Sequence, residues 1–158
     1  YTIFCDDIRH EISGKVTLVG CYTSHLYFTG EFPLKLARFG LQMNLVWPTD
    51  NPFDNCKLLV FLPGEFKEPV FTAEILSQEA ELPPPPSADD LPDDDGKGRV
   101  MRFGFHTMFE NLEIEKAGLI RVRALVDGAT IRAGTLRVEQ RANDEQVAGG
   151  PNAEGSQS

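Results

Sequence analysis

The chain lacks the short motifs that usually announce chemistry. It has no GxSxG elbow, no HExxH pair, no Walker-type phosphate loop and no glycine-rich dinucleotide fingerprint, so the common hydrolytic, zinc-protease and nucleotide-binding classes have no foothold in it. Histidine and cysteine occur three times each and tryptophan once. Cys5, Cys21 and Cys56 show neither CxxC spacing nor the Cys/His pairing of a zinc site. An odd number of cysteines does not make a disulfide framework, which points to a reducing compartment and to cytoplasmic synthesis. A Cys5–Cys21 bridge stays geometrically open, because both residues fall on segments that read as adjacent strands. No apolar run reaches the length of a membrane helix, and the opening YTIFCDDIRH shows no cationic region followed by an apolar one. The chain begins without Met. No membrane partner and no cofactor are expected.

Basic residues are also the minority: Lys and Arg number 15 against 24 Asp and Glu, a formal charge of −9. That balance argues against non-specific nucleic-acid binding. The excess is local. Residues 79–98 carry seven acids against Lys97, and residues 140–158 carry three against Arg141, so the rest is close to neutral. The first segment, EAELPPPPSADDLPDDDGKG, pairs a polyproline-prone run (Pro83, Pro84, Pro85 and Pro86) with an aspartate cluster. Neither offers enough apolar area to offset the entropy of ordering. We therefore read one β domain over residues 1–139, with an insertion at 79–98 and an extended tail at 140–158.

What is present is alternation. Gly118 to Val138 contains two alternating runs flanking Asp127-Gly128, a pair suited to the positive φ angles of a two-residue type I′ turn. That register would place Val126 opposite Ala129, Ala124 opposite Ile131, Arg123 opposite Arg132, Val122 opposite Ala133 and Ile120 opposite Thr135. One face of the hairpin would be apolar and the other basic. Tyr1–His10 reads as a first strand and Lys15–Tyr22 as a second, apolar at both parities, which suits a strand buried on both faces or one running along a sheet centre. Leu36–Trp47 is a half-buried strand with Phe39, Leu41, Met43, Leu45 and Trp47 inward. Lys57–Leu62, Val70–Ile75 and Val100–Phe109 follow, the last with Met101, Phe103, Phe105 and Phe109 inward and Arg102 and His106 outward. Residues 111–116 read as a short segment leading into the hairpin, and no segment has a helical period: 111–117 has room for at most a turn or two of helix. Seven to nine strands at this spacing predict an all-β antiparallel β-sandwich, immunoglobulin-like or C2-like.

Three residue groups are candidates for function. The cluster Asp89, Asp90, Asp93, Asp94 and Asp95 invites a calcium reading. Laid on the EF-hand loop, however, it puts Leu91 first and Arg102 twelfth, where acids are required; only a weak, non-EF-hand site remains. Asp6 and His10 share a face and have the chemistry of a base and its orienting partner, but nothing nearby completes a catalytic set. Arg121, Arg123 and Arg132 crowd one face of the hairpin, with Arg102 expected beside them. Like charges opposite each other on a sheet cost a few tenths of a kcal/mol, so carboxylates are expected to compensate them, either from the acidic insertion or from another subunit. The proline run Pro83–Pro86 is the other interaction candidate.

The opening residues, Phe4-Cys5-Asp6-Asp7, Arg9, Glu11, Gly14-Lys15, Leu18-Val19-Gly20 and Tyr22, followed by Phe32-Pro33-Leu34 and the Gly118–Gly128 hairpin strand, resemble an uncharacterised, DUF6941-like family of small bacterial and phage-encoded β-sandwich proteins. The resemblance implies fold and provenance and supplies no catalytic residue. Together these features predict a non-enzymatic structural or interaction module. Its expected partners are protein subunits of a larger assembly such as a phage virion, as a decoration, tail or accessory component. The alternative is a ligand-binding sandwich for calcium, carbohydrate or peptide; exposed Trp47 and Tyr22 rings would favour carbohydrate.

Overall fold

The computed structural model describes residues 1–48, 51, 53–76 and 100–142. Alternation in the sequence becomes strand after strand: β1 (Thr2–Cys5), β2 (Asp7–His10), β3 (Val16–Val19), β4 (His25–Phe28), β5 (Leu34–Pro48), β6 (Asn55–Phe61), β7 (Phe71–Leu76), β8 (Val100–Ile114), β9 (Gly118–Val126) and β10 (Ala129–Gln140). Among the described residues these ten strands form three sheets, ordered β1-β5-β8, β4-β10-β9-β6-β7 and β2-β3. One buried cluster draws on both larger sheets. Phe4, Phe39, Leu41, Met43, Leu112 and Ile114 come from the three-stranded sheet, and Leu58, Val60, Ile120, Val122, Leu136 and Val138 from the five-stranded one.

The hairpin forms where the turn chemistry requires it. Asp127 and Gly128 both adopt positive φ, 48° and 85°, and Asp127 Oδ1 accepts hydrogen bonds from the amides of Asp54 and Asn55 at 3.0 and 2.8 Å. The tip of the hairpin is thus tied to the start of β6. The expected register holds from Ala129–Val126 to Arg132–Arg123 and then slips, so that Val122 faces Gly134 and Ile120 faces Leu136. Ala133 is the extra residue of a β-bulge, which changes the side of the sheet that later residues face. Without it, Leu136 and Val138, exposed by 1% and 0%, would point to solvent, at a cost of roughly 1.5–3 kcal/mol each. The bulge is also where the two large sheets meet. Thr2 Oγ1 donates to Ala133 O at 3.2 Å, and a Cβ on Gly134 would lie 2.7 Å from Thr2 Cβ.

Several expectations need correction. The first predicted strand is two, broken at Asp6. The Lys15–Tyr22 segment is not buried on both faces; its strand β3 pairs only with β2, and its side chains are half-buried or exposed. Apolar residues at both parities reflected partial cover by neighbours, not a central position. His25–Phe28 is a further strand and pairs parallel with β10, so the domain is not purely antiparallel. Four residues are too few to show a period, and the partner lies more than 100 residues away in sequence. Residues 111–114 are not a separate segment but the end of β8. Asn111 takes φ 54°, and the register between β5 and β8 is the same on either side of it. At that level Ala37-Arg38 and Glu110-Asn111 are all exposed, so the alternation slips by one on both strands together.

Candidate functional site

The outer face of the five-stranded sheet is built by the same alternation that fills the core. Because Val122, Ala124, Leu58 and Val60 point inward, Arg121, Arg123, Leu59 and Phe61 must point outward. Strand register then arranges them in rows: Leu59, Arg123 and Arg132 across β6, β9 and β10, and Phe61, Arg121 and Thr135 beside them. A shallow groove of about 290 Å³ runs between Leu59, Phe61, Phe66, Arg121, Arg123 and Thr130. Arg121 lies over the Phe66 ring at 3.9 Å and donates to Glu65 O at 2.5 Å. Arg123 Nη1 donates to Val122 O at 2.9 Å.

Three arginines of this face carry charge that no described carboxylate offsets. Partial burial, then the positive charges of Arg132 and Arg121, lower the Arg123 pKa; a guanidinium nonetheless stays charged at any physiological pH. Among the described residues no carboxylate comes within 4.0 Å of Arg121, Arg123 or Arg132, whereas Lys57 on the same face is paired with Glu74. Guanidinium groups beside apolar side chains suit bidentate recognition of an anion, carboxylate or phosphate, with an adjacent hydrophobic contact.

Arg102 does not belong to this cluster. It is exposed on β8 opposite Val46, in the three-stranded sheet, because β8 pairs with β5 and not with the hairpin. The aspartates Asp89, Asp90, Asp93, Asp94 and Asp95 and the prolines Pro83, Pro84, Pro85 and Pro86 lie outside the described residues, as does the tail beyond residue 142. Among the described residues no three His, Cys, Asp or Glu side chains gather as a metal site would require.

The Asp6–His10 pairing does not form as a unit. Asp6 accepts a hydrogen bond from the Tyr22 hydroxyl, and burial, then that bond and the Asp6 charge, raise the Tyr22 pKa. His10 instead packs against His106, with ring centroids 4.7 Å apart. Ser24 and His25, neighbours in sequence, share a 2.7 Å hydrogen bond at Nδ1. Trp47 is half-buried, edge-on to Phe53, with its indole N–H donating to Asn51 O at 2.5 Å. Tyr22 packs on Phe39. Both rings are half-buried, not exposed at loop ends.

Two features escaped sequence reasoning. Asp7 sits between Arg38 at 2.8 Å and Arg9 at 3.2 Å, holding β2 against β5. On β4, His25 stacks on Tyr27 at 5.1 Å and the Arg141 guanidinium covers Tyr27 at 3.5 Å. These extend the cationic and aromatic face to the edge of the five-stranded sheet. The two-residue spacing of His25 and Tyr27 was the available signal.

The chain belongs to the family of unknown function DUF6941, whose model matches residues 1–139. Comparison with curated proteins and with solved structures gave no match.

Proposed function

We propose that this member of DUF6941 is a non-enzymatic interaction module: a β-sandwich whose outer five-stranded face docks an acidic segment of a protein partner within a larger assembly. The observation that carries this reading is the row Leu59–Arg123–Arg132 with Arg121 beside it. It comprises three guanidinium groups with no carboxylate within 4.0 Å among the described residues, next to an apolar groove. Such a face is mildly unfavourable by itself, by a few tenths of a kcal/mol for the directly opposed pair. A partner bringing carboxylates would turn that cost into attraction. The sandwich form is supported by the shared core of the two large sheets. The setting we favour, a phage virion component of the decoration, tail or accessory kind, is supported by resemblance to phage-encoded sandwich proteins.

The test is a titration of the full chain with a synthetic Asp/Glu-rich peptide carrying one leucine, followed by amide chemical shifts. Saturable changes should map to β6, β9 and β10, weaken with added salt, and weaken at least tenfold in the Arg123→Gln/Arg132→Gln variant. Saturation with shifts mapping elsewhere, or no shifts at low salt, would remove the reading. The groove also suits a ligand-binding role of the peptide class. A calcium-dependent rise in melting temperature would instead favour a cation-binding role.

A further inference from the structure

We propose that Cys5 and Cys21 form a reversible cross-strand disulfide, an oxidisable site that locks the small β2-β3 sheet onto the rest of the domain. Both thiols are free in the structure, Cys5 buried and Cys21 exposed. Their placement follows from the backbone. Phe4 and Tyr22 form an antiparallel bridge, with the Tyr22 amide donating to Phe4 O at 2.8 Å; the Asp6 amide is shared between Val19 O at 3.0 Å and Gly20 O at 3.3 Å, and Asp7 pairs with Val19 in the same register. Antiparallel pairing therefore sets Phe4 against Tyr22 and Asp6 against Gly20, with Cys5 opposite Cys21 between them. A pair flanked in this way is the non-hydrogen-bonded kind, whose Cα atoms stand about 4.5 Å apart, inside the roughly 4.4–6.8 Å span of disulfides. Both side chains leave the same side of the ladder. Consistent with that proximity, burial, then the Cys21 sulfur and the Asp6 carboxylate, push the Cys5 thiol up to about 11.

The two cysteines divide the chemistry. Exposed Cys21, as thiolate, attacks a low-molecular-weight disulfide such as glutathione disulfide, forming a mixed disulfide and releasing one small thiol. Cys5 then loses its proton and attacks the Cys21 sulfur, expelling the second small thiol. Two protein thiols are oxidised to one disulfide, and the small disulfide is reduced to two thiols. The order follows accessibility: a buried thiol with a raised pKa is a poor first nucleophile and becomes competent only against a sulfur already held beside it. The bridge closes the loop from residue 5 to residue 21, which contains all of β2 and β3. Its effect is to hold that sheet against β5, where Ile8 and Cys5 pack over Gly40.

The experiment is equilibration of the full chain in glutathione disulfide or in dithiothreitol, then alkylation under denaturing conditions and peptide mass analysis. Trypsin cuts after Arg9 and Lys15, so the bridge would join peptides 1–9 and 16–35. We expect that linked pair, Cys56 as the one alkylated thiol, and a melting temperature higher by roughly 5–10 °C that dithiothreitol reverses. Cys21→Ser, at an exposed position, should fold and lose both effects; Cys56→Ala should keep the linked pair. Alkylation of all three thiols, glutathione retained on Cys21 with Cys5 alkylated, or a Cys21–Cys21 dimer would each overturn the proposal.

Discussion

The outer faces of the two large sheets differ in how their arginines are covered. Over the three-stranded sheet the chain supplies its own cover. The small sheet β2-β3 lies there, Arg38 meets Asp7 at 2.8 Å, Ile8 is buried, and His10 packs on His106. Over the five-stranded sheet, Arg121, Arg123 and Arg132 have no carboxylate within reach among the described residues, and Leu59, Phe61 and Phe66 line an open groove. A folded chain has little reason to leave guanidinium groups adjacent and uncompensated when an acidic side chain at a neighbouring position would relieve them. On the other face Asp7 does this for Arg38 and Arg9. On the reading proposed above, the open face is the one assigned to a partner, and the covered face is structural.

The comparison is broken most directly from the covered side. Gly40→Val would place a Cβ 2.7 Å from Met108 Sδ and 2.9 Å from both Cys5 Sγ and Ile8 Cγ1; overpacking of this kind costs typically 1–3 kcal/mol. Urea denaturation should show a loss near the top of that range, and hydrogen exchange should show β2 and β3 losing protection first. The next effect is alkaline. Burial raises the Cys5 thiol from 9.0 to about 11, so the folded state favours the neutral form. That contribution is fully present below pH 9 and is lost as pH rises toward 11, amounting to about 2 kcal/mol. Tyr22, also raised, adds to the loss above pH 10. Stability measured by denaturation across pH 8–11 should fall accordingly, and Tyr22→Phe should leave a shallower decline.

Asp7→Asn removes the anion that faces Arg38 and Arg9. Asp7 is mostly buried but Arg38 is half exposed, so the expected loss is about 1 kcal/mol, partly restored by salt screening of the remaining cations. The smallest effect belongs to the open face and has the opposite sign. Arg132→Thr removes a like charge opposite Arg123 and should raise stability by a few tenths of a kcal/mol, while weakening binding of the acidic peptide. A clear loss of stability instead would mean that Arg132 already has a partner within the chain, and the contrast between the faces would disappear.

Much of this was legible in the residues because inside and outside are written locally. The alternation of Phe39, Leu41, Met43 and Leu45 set the buried side of β5, the Asp127-Gly128 pair set the hairpin turn, and the outward row of arginines followed from the inward row of valines. What could not be read was whatever depends on a distant neighbour. Arg102 belongs with β5, not with the hairpin, because strand pairing places it there. The Ala133 bulge fits β10 to β1 and moves Leu136 and Val138 inward. The Asp7–Arg38 contact joins elements about 30 residues apart. Sequence by itself thus determined that the chain is all-β, which side of most strands is buried, and that one hairpin face is basic. Only the tertiary structure decided which sheet each strand joins, which charges find partners, and that Phe4 bridges to Tyr22, because pairing energy lies between segments and leaves no periodic trace in either one.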